Sequence, residues 1–229
     1  MKTIGLIGGM SWESSAEYYR LINEEVKQRL GGLHSAKCVL YSVDFDEIEI
    51  CQRNGEWEKA GQILADAAYR LQLAGADFIV ICTNTMHKVV DQIQARINIP
   101  LLHIADIAAQ KVLSCRIKTV GLLGTQYTME QNFYKSRLEA RGIKVLIPKE
   151  SDRVIVNTVI YNELCLGKIV EESRAKFKRI IEDLTEQGAE GIILGCTEIG
   201  LLVKPEDSTV PLFDTTLLHA LGAVDFALK

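Results

Sequence analysis

The chain predicts an α/β protein built from two pseudo-symmetric parallel-sheet domains. Two internal repeats and one alternation carry that expectation. Gly75-Ala-Asp-Phe-Ile-Val-Ile-Cys-Thr-Asn-Thr85 reads as a copy of Gly188-Ala-Glu-Gly-Ile-Ile-Leu-Gly-Cys-Thr-Glu198, 113 positions on. Lys2-Thr-Ile-Gly-Leu-Ile-Gly-Gly9 matches Lys118-Thr-Val-Gly-Leu-Leu-Gly-Thr125, and Ile99-Pro-Leu-Leu102 more weakly matches Val210-Pro-Leu-Phe213, at offsets of 116 and 111. Throughout, short apolar runs alternate with segments of helical period, the pattern of parallel sheets joined by crossover helices.

The elements follow in order. Ile4–Ile7 is a strand broken by Gly8-Gly9. Ser14 with Glu17 three residues later forms a capping-box pattern. The helix it opens places Tyr18, Ile22, Val26 and Leu30 on one face and stops at Gly31-Gly32. Val39–Val43 is the second strand, followed by a polar turn at Gln52-Arg53. Trp57, Ala60, Leu64, Ala67 and Leu71 make a helical stripe. Phe78–Ile81 is apolar throughout, as expected of a strand buried on both faces, and Pro100–Ile104 resembles a fourth. The second half repeats the order: strands at Val120–Leu123, Val145–Ile147, Ile192–Leu194 and Pro211–Phe213, with helices at Glu130–Ala140 and Val170–Glu186. No Pro-, Gly- or Ser-rich linker separates the halves. The expected domains are residues 1–105 plus 210–229 and residues 106–209.

Composition excludes several classes. The 229 residues are 48% hydrophobic and 24% charged, with a formal net charge of -4, an ordinary globular balance. Lys and Arg are dispersed, so nucleic acid is not an expected partner. No apolar stretch approaches the roughly 20 residues of a membrane span. The N-terminus enters a core strand at once, so cytoplasm is the expected compartment. The six cysteines, at 38, 51, 82, 115, 165 and 196, have long irregular spacings. That argues against a disulfide framework or a structural metal site.

Ligands of parallel sheets bind at the carboxyl ends of the strands. Those ends carry Gly8-Gly9-Met10-Ser11, Thr83-Asn84-Thr85, Gly124-Thr125 and Cys196-Thr197-Glu198. Cys196 follows a glycine that permits a sharp turn, and a helix starting there would favour its thiolate. Thr83 holds the equivalent place in the first half; a helix N-cap is as good a reading of it as a catalytic group. Cys82, its neighbour, should point to the opposite face. Asn84, Thr85 and Thr197 offer polar donors to a substrate carboxylate. Gly5-Leu-Ile-Gly8-Gly9-Met10 does not fit the dinucleotide fingerprint. Arg53 could grip a second carboxylate with its bidentate fork, although a solvated surface Arg is the commoner outcome. His87 and His103 lack metal-ligand spacing and read as structural.

Taken together, Gly5-Leu-Ile-Gly-Gly-Met-Ser-Trp-Glu-Ser14, Thr83-Asn-Thr85, Glu163-Leu-Cys-Leu-Gly167 and Gly195-Cys-Thr-Glu198 resemble the aspartate/glutamate racemase family over essentially the whole chain. The likeness is greatest to enterobacterial members of broad or acidic-substrate specificity that have Thr in place of the first catalytic Cys. The resemblance implies two α/β domains with the active site in the cleft between them, and no pyridoxal phosphate, other cofactor or metal. It implies two cysteines flanking the substrate Cα, one removing the proton and the other returning one, and commonly a homodimer. It also implies that the last segment packs on the first domain. Here the usual Cys-Asn-Thr is Thr83-Asn84-Thr85, while Cys196 is retained. A free thiol has a pKa near 8.5, and a threonine hydroxyl is a far weaker acid. The expected catalytic pair is therefore unequal, Cys196 the better base and Thr83 the weaker partner, with a bias to one enantiomer that family geometry assigns to L. Carried over as substrate-binding residues are Met10, Gln52, Arg53, Asn84, Thr85 and Thr197, with Lys168 for a side-chain carboxylate or merely at the surface. Two other readings stay open: a single-thiol member such as a malonate-type decarboxylase, and a non-catalytic sensor of acidic amino acids.

Overall fold

The computed structural model describes all 229 residues. They form two compact units, residues 1–103 with 219–229 and residues 104–218. No helix is long and apolar enough to cross a membrane.

The first unit holds the strands β1 (Ile4–Gly8), β2 (Cys38–Ser42), β3 (Phe78–Ile81) and β4 (Leu101–Leu102), all parallel, in the order β2-β1-β3-β4. Its connecting helices are α1 (Trp12–Leu30), α2 (Phe45–Asn54), α3 (Trp57–Leu73) and α4 (Val90–Arg96), with a 3₁₀ turn at Thr85–Val89. The central strands β1 and β3 are buried on both faces, and alternate residues serve opposite sides. Ile7, Ile79 and Ile81 pack with Leu64, Ala68 and Leu71 of α3. Ile4, Leu6, Phe78, Val80 and Cys82 pack with Tyr18, Ile22 and Val26 of α1 and with Ala220, Ala223 and Val224 near the C-terminus.

The second unit repeats the topology with β5 (Thr119–Gly124), β6 (Lys144–Leu146), β7 (Ile192–Gly195) and β8 (Leu212–Asp214) in the order β6-β5-β7-β8. Around them lie α5 (Ile104–Ser114), α6 (Gln126–Glu130), α7 (Asn132–Glu139), α8 (Glu150–Asn162), α9 (Glu171–Glu186) and α10 (Ile199–Leu202). Further 3₁₀ turns occupy Leu164–Leu166 and Pro205–Asp207. The last helix, α11 (Thr215–Leu228), opens in this unit and continues into the first beyond Leu218. Residues 210–218, expected with the first domain, belong here because β8 is hydrogen-bonded to β7.

Several local readings are corrected. Helix α1 starts three residues early: Ser11, not Ser14, is its N-cap, and its hydroxyl accepts from the Ser14 amide at 3.3 Å. Gln52 and Arg53 lie on helix α2, not in a turn; Asp44 caps that helix and Gly55, left-handed at φ 73°, ends it. Helix α8 had no strong sequence signature; its buried Asp152 is gripped by Arg179 of α9 at 2.5 and 3.1 Å. Ile104 starts a helix instead of ending a strand.

One close approach fixes the second sheet where it matters. Gly124 and Gly195 are register partners at the carboxyl ends of β5 and β7. A Cβ on Gly124 would stand 2.7 Å from the Gly195 carbonyl oxygen, and one on Gly195 would stand 2.9 Å from the Leu123 carbonyl oxygen. Backbone cannot swing aside as a side-chain tip can. Gly124→Ala is therefore expected to lower unfolding free energy by about 1–3 kcal/mol, the usual cost of overpacking, measured by urea denaturation against the wild type.

Candidate active site

The loop after β1 is a knot of serine hydroxyls. Ser15 Oγ accepts from the Gly9 amide at 2.7 Å and donates to the Ser11 carbonyl at 2.9 Å. Gly9 has φ 92°, and a side chain there would strike the Val43 backbone. This holds Met10 in the core beside Ile48, Cys51 and Met86. Ser14 Oγ donates to the Cys82 carbonyl at 2.9 Å, tying the start of α1 to the end of β3.

At the end of β3, Cys82 is fully buried and burial pushes its thiol far above the ordinary value. It faces the α1 side of the core, as the alternation required. Thr83 is the first residue beyond the strand that is not buried. Asn84 and Thr85 are buried as the chain enters the 3₁₀ turn, whose N-cap is Asn84 and not Thr83. His87 Nδ1 donates to the Thr83 carbonyl at 2.8 Å. Gln52 is buried and its amide nitrogen meets Met86 Sδ at 3.0 Å. Arg53, next on the same helix, is 66% exposed and stands 3.6 Å from Glu49. Gln52 is thus placed by packing, and Arg53 by a loose surface ion pair.

At the end of β7 the matching position is Cys196. Its Sγ donates to Glu198 Oε2 at 3.0 Å, and Thr197 Oγ1 donates to the same oxygen at 2.6 Å. All three residues are buried. Burial pushes the Cys196 thiol well above its ordinary value, and the Glu198 carboxylate adds to the shift. The expectation of a thiolate favoured by a helix is therefore corrected. The helix there, α10, has four residues, and a carboxylate stands at its N-cap. Cys196 is held as a thiol, hydrogen-bonded to the Glu198 carboxyl group. Glu198 was visible in the motif but had no role assigned; its signal was its place two residues past the thiol. Lys168 is exposed, just beyond the left-handed Gly167, and precedes α9 by two residues. No group of three or more His, Cys, Asp or Glu could hold a metal ion.

Residues 7–223 match the model of the Asp/Glu/Hydantoin racemase family. The chain belongs to that family. A candidate Asp/Glu racemase from Yersinia pestis is 58% identical, with both chains covered completely and a TM-score of 0.93. An aspartate racemase homologue from Pyrococcus horikoshii OT3 is 34% identical, again over 100% of both chains, with a TM-score of 0.87. The broad specificity amino-acid racemase RacX of Bacillus subtilis (strain 168) is 24% identical over 96% of each chain. This racemase-family chain thus carries two parallel sheets of one topology, each ending in a polar or reactive residue at the same repeat position.

Two outcomes are expected. Glu198→Gln removes the negative charge beside Cys196, so the thiol should be alkylated by iodoacetamide at lower pH than in the wild type, followed at Cys196 by peptide mass spectrometry. His219, fully buried in the first unit, is held neutral, its pKa lowered to about 4 from an ordinary 6.5 by desolvation. Above pH 6.5 both folded and unfolded chains carry it neutral. Between about pH 6.5 and 4 the unfolded chain binds the proton first, so stability falls with pH by about 1.4 kcal/mol per unit from this group. Denaturation at pH 7 and pH 5 should show a shallower loss in His219→Gln than in the wild type.

Proposed function

We propose that the protein is a racemase of acidic amino acids, aspartate or glutamate, working without pyridoxal phosphate. Cys196 and Thr83 would be its two proton-transfer groups. The observation that supports this most directly is the Cys196 thiol bonded to the Glu198 carboxylate at 3.0 Å, at the strand end whose repeat partner carries Thr83. The relatives support the class: one is a broad specificity amino-acid racemase and another an aspartate racemase homologue.

Cys196 as it stands can donate a proton. To act as base it passes its proton to Glu198, which the lowered acidity of the buried thiol makes costly in the empty protein. An amino-acid substrate brings an ammonium group, and a positive charge nearby favours the thiolate. Substrate would thus activate its own base. The α-proton goes to Cys196 sulfur from one face, and the Thr83 hydroxyl returns a proton on the other. Asn84, Thr85, Thr197, Gln52 and Met10 are proposed to seat the α-carboxylate and backbone of the substrate. Exposed Arg53 and Lys168 are proposed to attract the second carboxylate. A homodimer in the cytoplasm is the proposed working form.

The two enantiomers have equal free energy in water, so kcat/KM must be the same in both directions. Inequality between thiol and hydroxyl therefore shows elsewhere. The enantiomer facing Cys196, proposed as L, can lose its α-proton and regain a solvent deuteron on the same face. The other enantiomer cannot do so efficiently. In D₂O, proton NMR should show α-deuterium entering L-aspartate or L-glutamate faster than chiral chromatography shows inversion, and Cys196→Ser should stop both. Binding of all four amino acids without exchange would instead indicate a sensor, and carbon dioxide release from a substituted malonate a decarboxylase.

A further inference from the structure

Thr83 is aimed by its two flanking peptide planes, and a buried side chain pins each of them. The plane between Cys82 and Thr83 is held at the Cys82 carbonyl by Ser14 Oγ, 2.9 Å away. The Cys82 amide is fixed to the Ile7 carbonyl at 2.9 Å. The plane between Thr83 and Asn84 is held at the Thr83 carbonyl by His87 Nδ1, 2.8 Å away. Two fixed planes leave the Thr83 Cα no freedom in φ or ψ, which sets the direction of its Cα–Cβ bond.

The histidine is itself held. A carbonyl only accepts, so His87 carries its proton on Nδ1. Its ring lies 4.5 Å from the ring of His103 and 5.7 Å from that of His219, centre to centre. His219 Nε2 donates to the Leu102 carbonyl at 2.9 Å, which leaves Nδ1 to accept the Tyr18 hydroxyl at 2.8 Å. His219 and Tyr18 are fully buried and His87 nearly so. Such a cluster is costly to build from polar rings unless its bonds are made. A leucine or phenylalanine would fill the same space. What those would lack is a donor for the Thr83 carbonyl.

We propose that His87 and Ser14 are positioning residues for Thr83, locking its flanking peptides so that its hydroxyl presents a fixed direction to the substrate. The inference rests on the reading of Thr83 as a proton-transfer group. Misplacing such a group by about 1 Å can cost on the order of 100-fold in rate. The penalty should fall on inversion, which needs Thr83, and spare one-face exchange, which needs Cys196.

The test uses the isosteric pair of amides. Asn presents its amide nitrogen where histidine has Nδ1, and Gln where it has Nε2. The full-length variants His87→Asn and His87→Gln are incubated with L-aspartate in D₂O, and inversion and α-exchange are measured in each. His87→Gln should lower the ratio of inversion to exchange by about 10- to 100-fold, and His87→Asn should restore most of it. Equal loss of both activities, no change in either, or failure of Asn to rescue would overturn the inference. If His87→Gln does not fold, Ser14→Ala carries the same ratio test on the other peptide. Thr83→Val separates the two levels. Inversion kept in Thr83→Val sinks the reading of Thr83 itself, whereas inversion lost there but kept in His87→Gln sinks the positioning role alone.

Discussion

In a parallel sheet covered on both faces, nothing along a central strand can meet a ligand. Each residue is committed to one side of the core or the other until the last hydrogen bond of the ladder is made. In this protein β1 and β3, and β5 and β7, are such strands. The chemistry is therefore forced into the few residues that follow them. Cys82 is the last residue held in the core and Thr83 the first released from it. Gly195 ends β7 and Cys196 follows at once. The placement of the two groups is a consequence of strand length, and the glycine pair at 124 and 195 keeps the β5–β7 register from drifting.

Electrostatically the two strand ends have diverged. Beyond β7 stand a thiol, a hydroxyl and a carboxylate sharing one oxygen. Beyond β3 there is a hydroxyl with no acidic group beside it in sequence, its carbonyl bonded by the His87 imidazole. In the proposed reaction the thiol side has a carboxylate to receive its proton, and the hydroxyl side has only orientation to offer. The Glu198 carboxylate lowers the acidity of the thiol beside it; in the proposed reaction the reactive form then depends on substrate. Free thiolate, the species most open to oxidation, is correspondingly disfavoured between turnovers.

Much of this was legible in the residues. The repeat at 75–85 and 188–198 announced two sheets of one topology, and unbroken apolar runs marked the strands buried on both faces. The alternation rule assigns Cys82 to one face of the sheet, and it packs on the α1 side. Helix α8 was passed over because its buried face is short, Val156, Val159 and Ile160, and its first turn buries a charged residue, Asp152, paired with Arg179. Helix α2 was mistaken for a turn because its polar residues outnumber its anchors, while the Asp44 cap and Gly55 stop that define it are single residues. At the site, residue types at strand ends were readable, but the protonation of Cys196 was not. That depends on burial and on where the Glu198 carboxylate turns. The role of His87 was hidden for a similar reason: its partner is a backbone carbonyl four residues back, which no side-chain motif encodes.

The route of the chain through the two units sets an order of completion during synthesis. The first 103 residues leave the ribosome first, yet the face of their sheet that carries Phe78 and Cys82 is covered in part by Ala220, Ala223 and Val224. Those residues are made after the whole of the second unit. The unit of residues 104–218 has all its parts earlier and can close while the N-terminal unit still exposes apolar surface. The half that emerges first is the half that finishes last, against the usual N-terminal-first order of domain folding. Loss of about a dozen C-terminal residues would open the older half and leave the younger one intact.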